Sequence, residues 1–203
     1  MNKKLIIAQA RWVRDNCIVI DTETTGLGEN DTIVELAAVS PKDRVVVLNV
    51  LVRPLSPMSA GAEKTHGISM ADAQYSGMPA TRAINHLAKA RQRWNRTLSL
   101  ASFNWQFDAR MILQTAFRSV CTETIDEAID LTAPANGSTC IMELANRYLH
   151  DHLEWDAEQA KFKRLSLEKC LEITGIQREG IAHRAISDAL AAADLLNFIA
   201  EGR

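Results

Sequence analysis

Two acids, two residues apart, follow a continuous apolar run near the start of the chain. Asp21 and Glu23 come directly after residues 17–20, a run typical of a strand that is buried on both faces. Alternate residues of a strand point to the same face, so the two carboxylates are expected to converge. Like charges there are costly unless a cation compensates them, and a divalent metal ion would do so. A pair that caps a turn or meets a Lys or Arg has the same spacing, so the pair alone does not decide.

Two further acids lie near the starts of predicted helices. Asn104 is predicted as the N-cap of a helix over residues 105–118, and Asp108 then falls in its first turn. The helix dipole favours an acid there without any functional role. Asp188 begins the apolar stripe of a helix predicted over residues 185–200, because the positions four, seven and eleven residues further on are all apolar. Asp188 is therefore expected to face the sheet and not the solvent.

One histidine, His183, comes just before this last helix. A loop or first-turn position leaves its ring free to move. A single histidine is more often structural than catalytic, so this residue has weight only together with the acids. Histidine as a residue type suits proton transfer near neutral pH, since its ordinary pKa is about 6.5.

The elements that must position these residues are predicted as a mixture of strands and helices. After an amphipathic helix over residues 3–15, β-branched runs at residues 17–20, 32–39 and 44–52 predict an antiparallel meander. A fourth strand, Leu98–Ala101, leads directly into a helix. The further predicted elements are a possible fifth strand around Ile125–Leu131 and helices over residues 80–94, 105–118, 141–149, 167–174 and 185–200.

This pattern predicts an α/β fold in which helices pack on the faces of a mixed, five-stranded sheet. Residues 151–164 are rich in charged and aromatic side chains and form either a helical extension or an exposed excursion. A chain of 203 residues fits one domain, which we expect to span residues 1–203, with its core at about 17–199 and a helical extension at 1–16.

Composition excludes some classes of protein. A formal net charge of −2 argues against a protein that coats long stretches of nucleic acid, although it permits one that grips a strand end. No apolar run is long enough to span a membrane, and charged residues interrupt the N-terminal apolar stretch too early for a signal peptide. We therefore expect a cytoplasmic protein, whose widely spaced cysteines are reduced and mostly buried: Cys17, Cys121, Cys140 and Cys170.

Taken in order, the acids and the histidine resemble the three motifs of the DEDD superfamily of 3′-to-5′ exonucleases, in its histidine-containing (DEDDh) branch. Residues 21–27 are similar to the first motif, Asn104 with Asp108 to the second, and His183 with Asp188 to the third. Three motifs in order are far more specific than any one of them. The resemblance covers roughly residues 17–199 and implies a ribonuclease H-like fold.

The resemblance also implies a site and its partners. Two ions of Mg²⁺ or Mn²⁺ are expected on four carboxylates, with a histidine as the general base for water. The expected substrate is single-stranded nucleic acid or a DNA 3′ end, with RNA as an alternative, and association with itself or a polymerase is left open. The metal-binding acids are Asp21, Glu23, Asp108 and Asp188, the base is His183, and the expected substrate contacts are Thr24, Leu27, His66 and Asn104.

Several alternatives stay open at this point. One alternative is a protein that keeps this fold without catalysis and serves as a nucleic-acid-binding or proofreading-like subunit. The complete set of acids argues against it. Two residues depart from the common motif pattern, Phe103 and Trp105. Trp105 either packs in the core or stacks on a base. Thr24 and His66 also have structural alternatives, the first in a turn and the second at the cap of a short helix.

Overall fold

A four-stranded mixed sheet forms the centre of the protein. The computed structural model describes residues 2–94, 99–133 and 140–203. In the sheet the strand order is β3-β2-β1-β4, with β1 antiparallel to β2, β2 antiparallel to β3, and β1 parallel to β4. The strands are β1 (Cys17–Thr24), β2 (Ile33–Ser40), β3 (Val45–Leu51) and β4 (Ser99–Ser102).

Helices cover both faces of this sheet. In the described part of the chain they are α1 (Lys3–Asn16), α2 (Ala60–His66), α3 (Met70–Ser76), α4 (Ala80–Trp94), α5 (Trp105–Arg118), α6 (Thr122–Thr132), α7 (Ile141–Tyr148), α8 (Leu167–Thr174) and α9 (Ala185–Glu201). The meander, the parallel fourth strand and the helices predicted at both ends of the chain are therefore present.

Alternation along β1 divides the core into two layers. Val19 packs into the cluster that contains α1, α7, α8 and α9, whereas its neighbours Ile18 and Ile20 pack into the cluster that contains α4, α5 and α6. Burial on both faces explains why β1 is continuously apolar up to Ile20. The odd-numbered positions that follow in β1 continue toward α9, and the even-numbered ones continue toward α5.

The fifth strand predicted around Ile125–Leu131 is wrong, because this segment lies within the helix α6. Its buried residues, Thr124, Ala128 and Leu131, are spaced by four and three positions, which is the period of a helix and not of a strand. In the part of the chain that the structure describes, the sheet thus has four strands and not the predicted five. The fourth strand is found at Ser99–Ser102, and Leu98 lies outside the described residues.

Residues 151–164 form an exposed excursion and not a helical extension. A short 3₁₀ turn (His150–His152) precedes a two-stranded hairpin of β5 (Trp155–Asp156) and β6 (Lys161–Phe162). Among the described residues, no helix has both the length and the apolar character that crossing a membrane requires. The four cysteines form no disulfide bond, and Cys121 is half-buried whereas the other three are buried.

Candidate active site

Three carboxylates meet where the end of β1 lies against the start of α9. Oxygen atoms of Asp21, Glu23 and Asp188 all lie within 4.8 Å of one another. Asp21 and Glu23 continue the odd-numbered face of β1, and Asp188 lies in the first turn of α9, which packs on that face. The strand period and the helical stripe therefore bring together three of the acids that the sequence singled out.

Asp108 reaches the same strand end from the α5 side of the sheet. It is buried in the first turn of α5, and its Oδ1 accepts a hydrogen bond of 2.7 Å from the Thr22 hydroxyl. Thr22 lies between Asp21 and Glu23 and points to the opposite face of β1, so this bond ties α5 to the acidic strand end. The negative charge of Asp108 acts on both of those acids and raises their pKa values.

The electrostatics of this cluster are unfavourable without a cation. Burial, followed by the charges of Asp108, Glu23 and Glu35, raises the pKa of Asp21 well above its ordinary value. Burial and the neighbouring acids also raise the pKa of Glu23 to about 7. Burial raises the pKa of Asp108 to about 6, although the hydrogen bond from Thr22 opposes this. Converging oxygen ligands with mutual repulsion fit a hard divalent cation such as Mg²⁺ or Mn²⁺.

These raised pKa values predict how the stability of the metal-free protein depends on pH. The folded state binds protons at these acids more tightly than the unfolded state does. Proton binding therefore makes its full contribution to the free energy of unfolding below the ordinary pKa values, which are near 4. It is lost as pH rises through about 6 for Asp108 and about 7 for Glu23. In EDTA, we expect the melting temperature to fall between about pH 5.5 and 8.5 through this contribution.

The measurement is a thermal melt at each pH, with EDTA or with excess Mn²⁺. Because the cation replaces the lost protons, we expect Mn²⁺ to stabilise the protein more at about pH 8.5 than at about pH 5.5. Stabilisation by Mn²⁺ that is equal at both pH values would contradict this explanation of the cluster.

A cation of the protein itself lies at the edge of the cluster. Arg178 forms an ion pair with Asp188 and a second one, of 2.5 Å, with Glu168. Its side chain is largely buried, and its charge lowers the pKa of Asp21, against the other influences. Sequence reasoning missed Arg178, because its approach to Asp188 depends on the course of the intervening loop and not on spacing within one element.

A fifth carboxylate, Glu35, lies next to the cluster and was also missed. It pairs with Glu23 across the β1–β2 ladder and is only 2% exposed. Both of its oxygens accept hydrogen bonds from Arg184, and Oε2 also accepts one of 2.8 Å from the backbone N–H of Ala185. With these partners Glu35 is a poor candidate for a metal ligand. The sequence signal was an acid that interrupts the apolar run of β2.

His183 lies in the loop that leads into α9, five residues before Asp188. Its backbone is left-handed, with φ 59°, and its side chain is exposed. Within the described residues the imidazole makes no hydrogen bond. The ring is therefore accessible, as the sequence position predicted.

A cavity of about 380 Å³ opens beside Glu23, and its walls come from the end of β1, the loop that follows, α2 and Phe107. Thr24, Leu27 and His66, three of the four predicted substrate contacts, line it. Leu27 is 75% exposed, so a large apolar side chain stands at the cavity without a core to bury it. A small organic group fits a space of this size.

Two of the residues that line the cavity form hydrogen bonds within the protein. The Thr24 hydroxyl donates to the Gly26 carbonyl at 2.7 Å. His66 is buried, its Nδ1 accepts a hydrogen bond from the Ile68 N–H, and its Nε2 lies 3.3 Å from the Thr24 carbonyl. Burial lowers the pKa of His66. The neutral imidazole therefore ties the end of β1 to the chain after α2. Both residues have partners within the protein, and their contact with substrate stays a prediction.

Helix α5 holds the loop that carries Leu27. Arg110 donates two hydrogen bonds of 3.3 Å to the Leu27 carbonyl. One turn further along the helix, Gln114 donates to the carbonyls of Gly28 and Asp31 at 3.1 and 3.0 Å. The helix that supplies Asp108 thus also fixes the rim of the cavity.

The fourth predicted substrate contact, Asn104, does not line this cavity. It occupies the predicted N-cap position of α5, but its side chain makes no capping hydrogen bond. Its neighbours Phe103 and Trp105 pack against the two main core clusters. For Trp105, the packing alternative is therefore the one observed.

A family model described as an exonuclease model, RNase_T, matches residues 18–196. The chain belongs to this exonuclease family. It is thus a nuclease of the DEDD superfamily with a ribonuclease H-like fold. Its group of three carboxylates lies on the elements that carry the first and third motifs.

One relative of this exonuclease supports the family, and two solved structures share its fold. The uncharacterized exonuclease CP81 of Escherichia phage 186 is 31% identical over 195 residues, which are 95% of this chain and 92% of that protein. E. coli Exonuclease I in complex with a dT13 oligonucleotide has a TM-score of 0.67 at 16% identity over 91% of this chain. A zinc-bound E. coli Exonuclease I–ssDNA complex has a TM-score of 0.64 at 19% identity over 93% of this chain. The present chain spans only 40% and 41% of the length of these two Exonuclease I chains.

Proposed function

We propose that this exonuclease is a metal-dependent 3′-to-5′ enzyme of the DEDDh branch that releases nucleoside monophosphates, with DNA as the favoured substrate. The observation that carries the proposal is the convergence of acids from β1 and α9, with Asp108 of α5 against them, beside a cavity of about 380 Å³. Acids from three separate elements therefore lie beside the cavity in which the end of a nucleic-acid strand would be held. That arrangement suits phosphodiester hydrolysis.

Asp21, Glu23, Asp108 and Asp188 are the residues that would hold two divalent ions, Mg²⁺ or Mn²⁺. The donor set fits, because all four are carboxylates and burial raises the pKa of Asp21, Glu23 and Asp108. Repulsion from neighbouring acids adds to this for Asp21 and Glu23. When bound, such ions supply Lewis-acid stabilisation of the charge that develops on the phosphoryl oxygens. The zinc-bound form of E. coli Exonuclease I supports the use of a divalent metal.

His183 is the proposed general base, which accepts a proton from the attacking water at a ring nitrogen. Three features support this role: its position in the third motif, its exposed ring, and the lack of a hydrogen-bond partner for that ring within the described residues. A base must be free to take up a proton and to give it to solvent. A buried histidine whose ring nitrogens already have hydrogen-bond partners, such as His66, would not be free to do so.

The cavity is the proposed site of the 3′-terminal nucleotide. Leu27 would lie against the terminal base, and the backbone around Thr24 would lie beside the sugar. The fold shared with E. coli Exonuclease I, which was crystallised with dT13, supports single-stranded DNA as the ligand. RNA differs by its 2′-hydroxyl, which details of the pocket wall would accept or exclude.

Polarity and metal dependence are tested with one DNA oligonucleotide that carries a 5′ fluorophore. We expect a ladder that shortens from the 3′ end with time, stops in EDTA and resumes when Mn²⁺ is added. Early release of the labelled 5′ mononucleotide would contradict the proposed direction. Binding without any release would favour the non-catalytic alternative, and a faster rate on the matched RNA would favour an exoribonuclease.

A further inference from the structure

The loop before α9 contains backbone that needs external support. His183 has a left-handed conformation, φ 59°, which is uncommon for a residue with a side chain. Earlier in this loop Gly180 has φ 82°, and a Cβ there would lie 2.3 Å from the Ser187 hydroxyl oxygen. Such a conformation persists only where the surrounding structure holds it.

Glu35 provides that support from the neighbouring strand. Its two carboxylate oxygens accept three hydrogen bonds from Arg184, at 2.5, 3.1 and 3.2 Å, and one of 2.8 Å from the Ala185 N–H. Arg184 is the N-cap residue of α9, and its side chain makes no capping hydrogen bond. A carboxylate from β2 therefore takes the place of the missing cap, and it binds the two residues that directly follow His183.

This arrangement gives a buried acid beside the cluster a purpose other than metal binding. Glu35 is 2% exposed, whereas the Arg184 side chain is 38% exposed, so the pair joins the sheet interior to the rim of the site. Among the described residues, Glu23 belongs to the group of acids that could hold an ion. Glu35, its cross-strand neighbour, does not. A bidentate pair between a carboxylate and a guanidinium fixes direction as well as distance.

We propose that Glu35 is a positioning residue that acts through Arg184 and the Ala185 amide to hold His183 in its working backbone conformation. This inference rests on the proposed function of His183 as the base. It explains why an acid lies within an apolar strand next to other acids, where its charge raises the cost of the cluster. It also predicts that loss of Glu35 slows the chemical step without weakening the binding of metal or substrate.

The first variant is Glu35→Gln, which keeps the shape of the side chain but removes its charge. The second is Arg184→Gln, which breaks the same ion pair while Glu35 stays in place, and it serves if the first variant fails to fold. For each we expect kcat to fall about 10-fold, with KM and the calorimetric Mn²⁺ affinity within about twofold of wild type. The control is Ile199→Val, in the buried far end of α9, which lowers stability without changing kcat. A variant that only melts earlier, at unchanged kcat, would overturn the proposal.

The decisive comparison places Glu35→Gln in a His183→Ala background. If Glu35 acts through His183, the double variant turns over no more slowly than His183→Ala alone. A further loss of kcat in the double variant would show that Glu35 acts elsewhere, and would overturn the proposal while the proposed function stands.

A readout that needs no catalysis separates the two claims. Hydrogen exchange of the Ala185 amide should speed up in Glu35→Gln, since this variant weakens the bond that protects the amide. Wild-type protein that releases no nucleotide would refute the proposed function, and unchanged exchange at Ala185 would then overturn the positioning role as well.

Discussion

Asp21→Asn is expected to reduce the rate of nucleotide release at least ~10³-fold on a 5′-labelled single-stranded oligonucleotide with saturating Mn²⁺. Loss of a ligand weakens a Lewis-acid contribution of several kcal/mol, and about 1.4 kcal/mol corresponds to a tenfold change in rate. Asn has nearly the same volume as Asp, so the fold should persist. In EDTA the same variant should lose less stability than wild type as pH rises, because the acid with the strongly raised pKa is gone.

The matched control is Asp194→Asn. Asp194 lies on α9 like Asp188, but it forms an ion pair of 3.0 Å with Arg44, outside the acid cluster. Its replacement should leave the rate and the Mn²⁺ affinity close to wild type. An Asp21→Asn protein that keeps wild-type activity, or a control that loses as much, would refute the role of the cluster.

His183→Ala is expected to lower kcat on the order of 10²-fold or more, which is the usual contribution of a general base. Since the residue is not a proposed metal ligand, calorimetric Mn²⁺ affinity and KM should stay within about twofold of wild type. The two types of variant thus fail differently: Asp21→Asn through metal binding and His183→Ala through proton transfer.

His152→Ala serves as the comparison, because His152 is an exposed histidine near the hairpin and outside the proposed site. It should retain full activity. If purified His183→Ala matched wild type in a single-turnover assay, proton transfer would have to be assigned to another group. A parallel loss of Mn²⁺ affinity would point instead to a disturbed acid cluster.

The position of each acid on its own element was predictable, because it follows a short-range rule. Asp21 and Glu23 share a face through strand alternation, and Asp188 extends a helical apolar stripe. Asp108 follows from the predicted start of α5. Local periodicity and helix boundaries predicted the face on which each acid lies, whereas the meeting of the acids was predicted from the order of the three DEDD-like motifs.

The residues that were missed depend on long-range geometry. Glu35 matters because the β1–β2 register sets it opposite Glu23, and the turn sequence does not fix that register. Arg178 matters because a loop returns it to Asp188. The segment of α6 was mistaken for a strand, since a short apolar run has ambiguous periodicity. The two missed residues depend on tertiary context, whereas the error at α6 lies in the interpretation of local periodicity.

The central claim is that acids distant in sequence jointly bind divalent cations. A crystal structure grown with Mn²⁺, with anomalous difference density collected near the manganese edge, tests it most directly. We expect two peaks, each within about 2.0–2.6 Å of carboxylate oxygens from Asp21, Glu23, Asp108 or Asp188. Peaks elsewhere, or a structure in which Asp108 and Asp188 contact no ion, would contradict the claim.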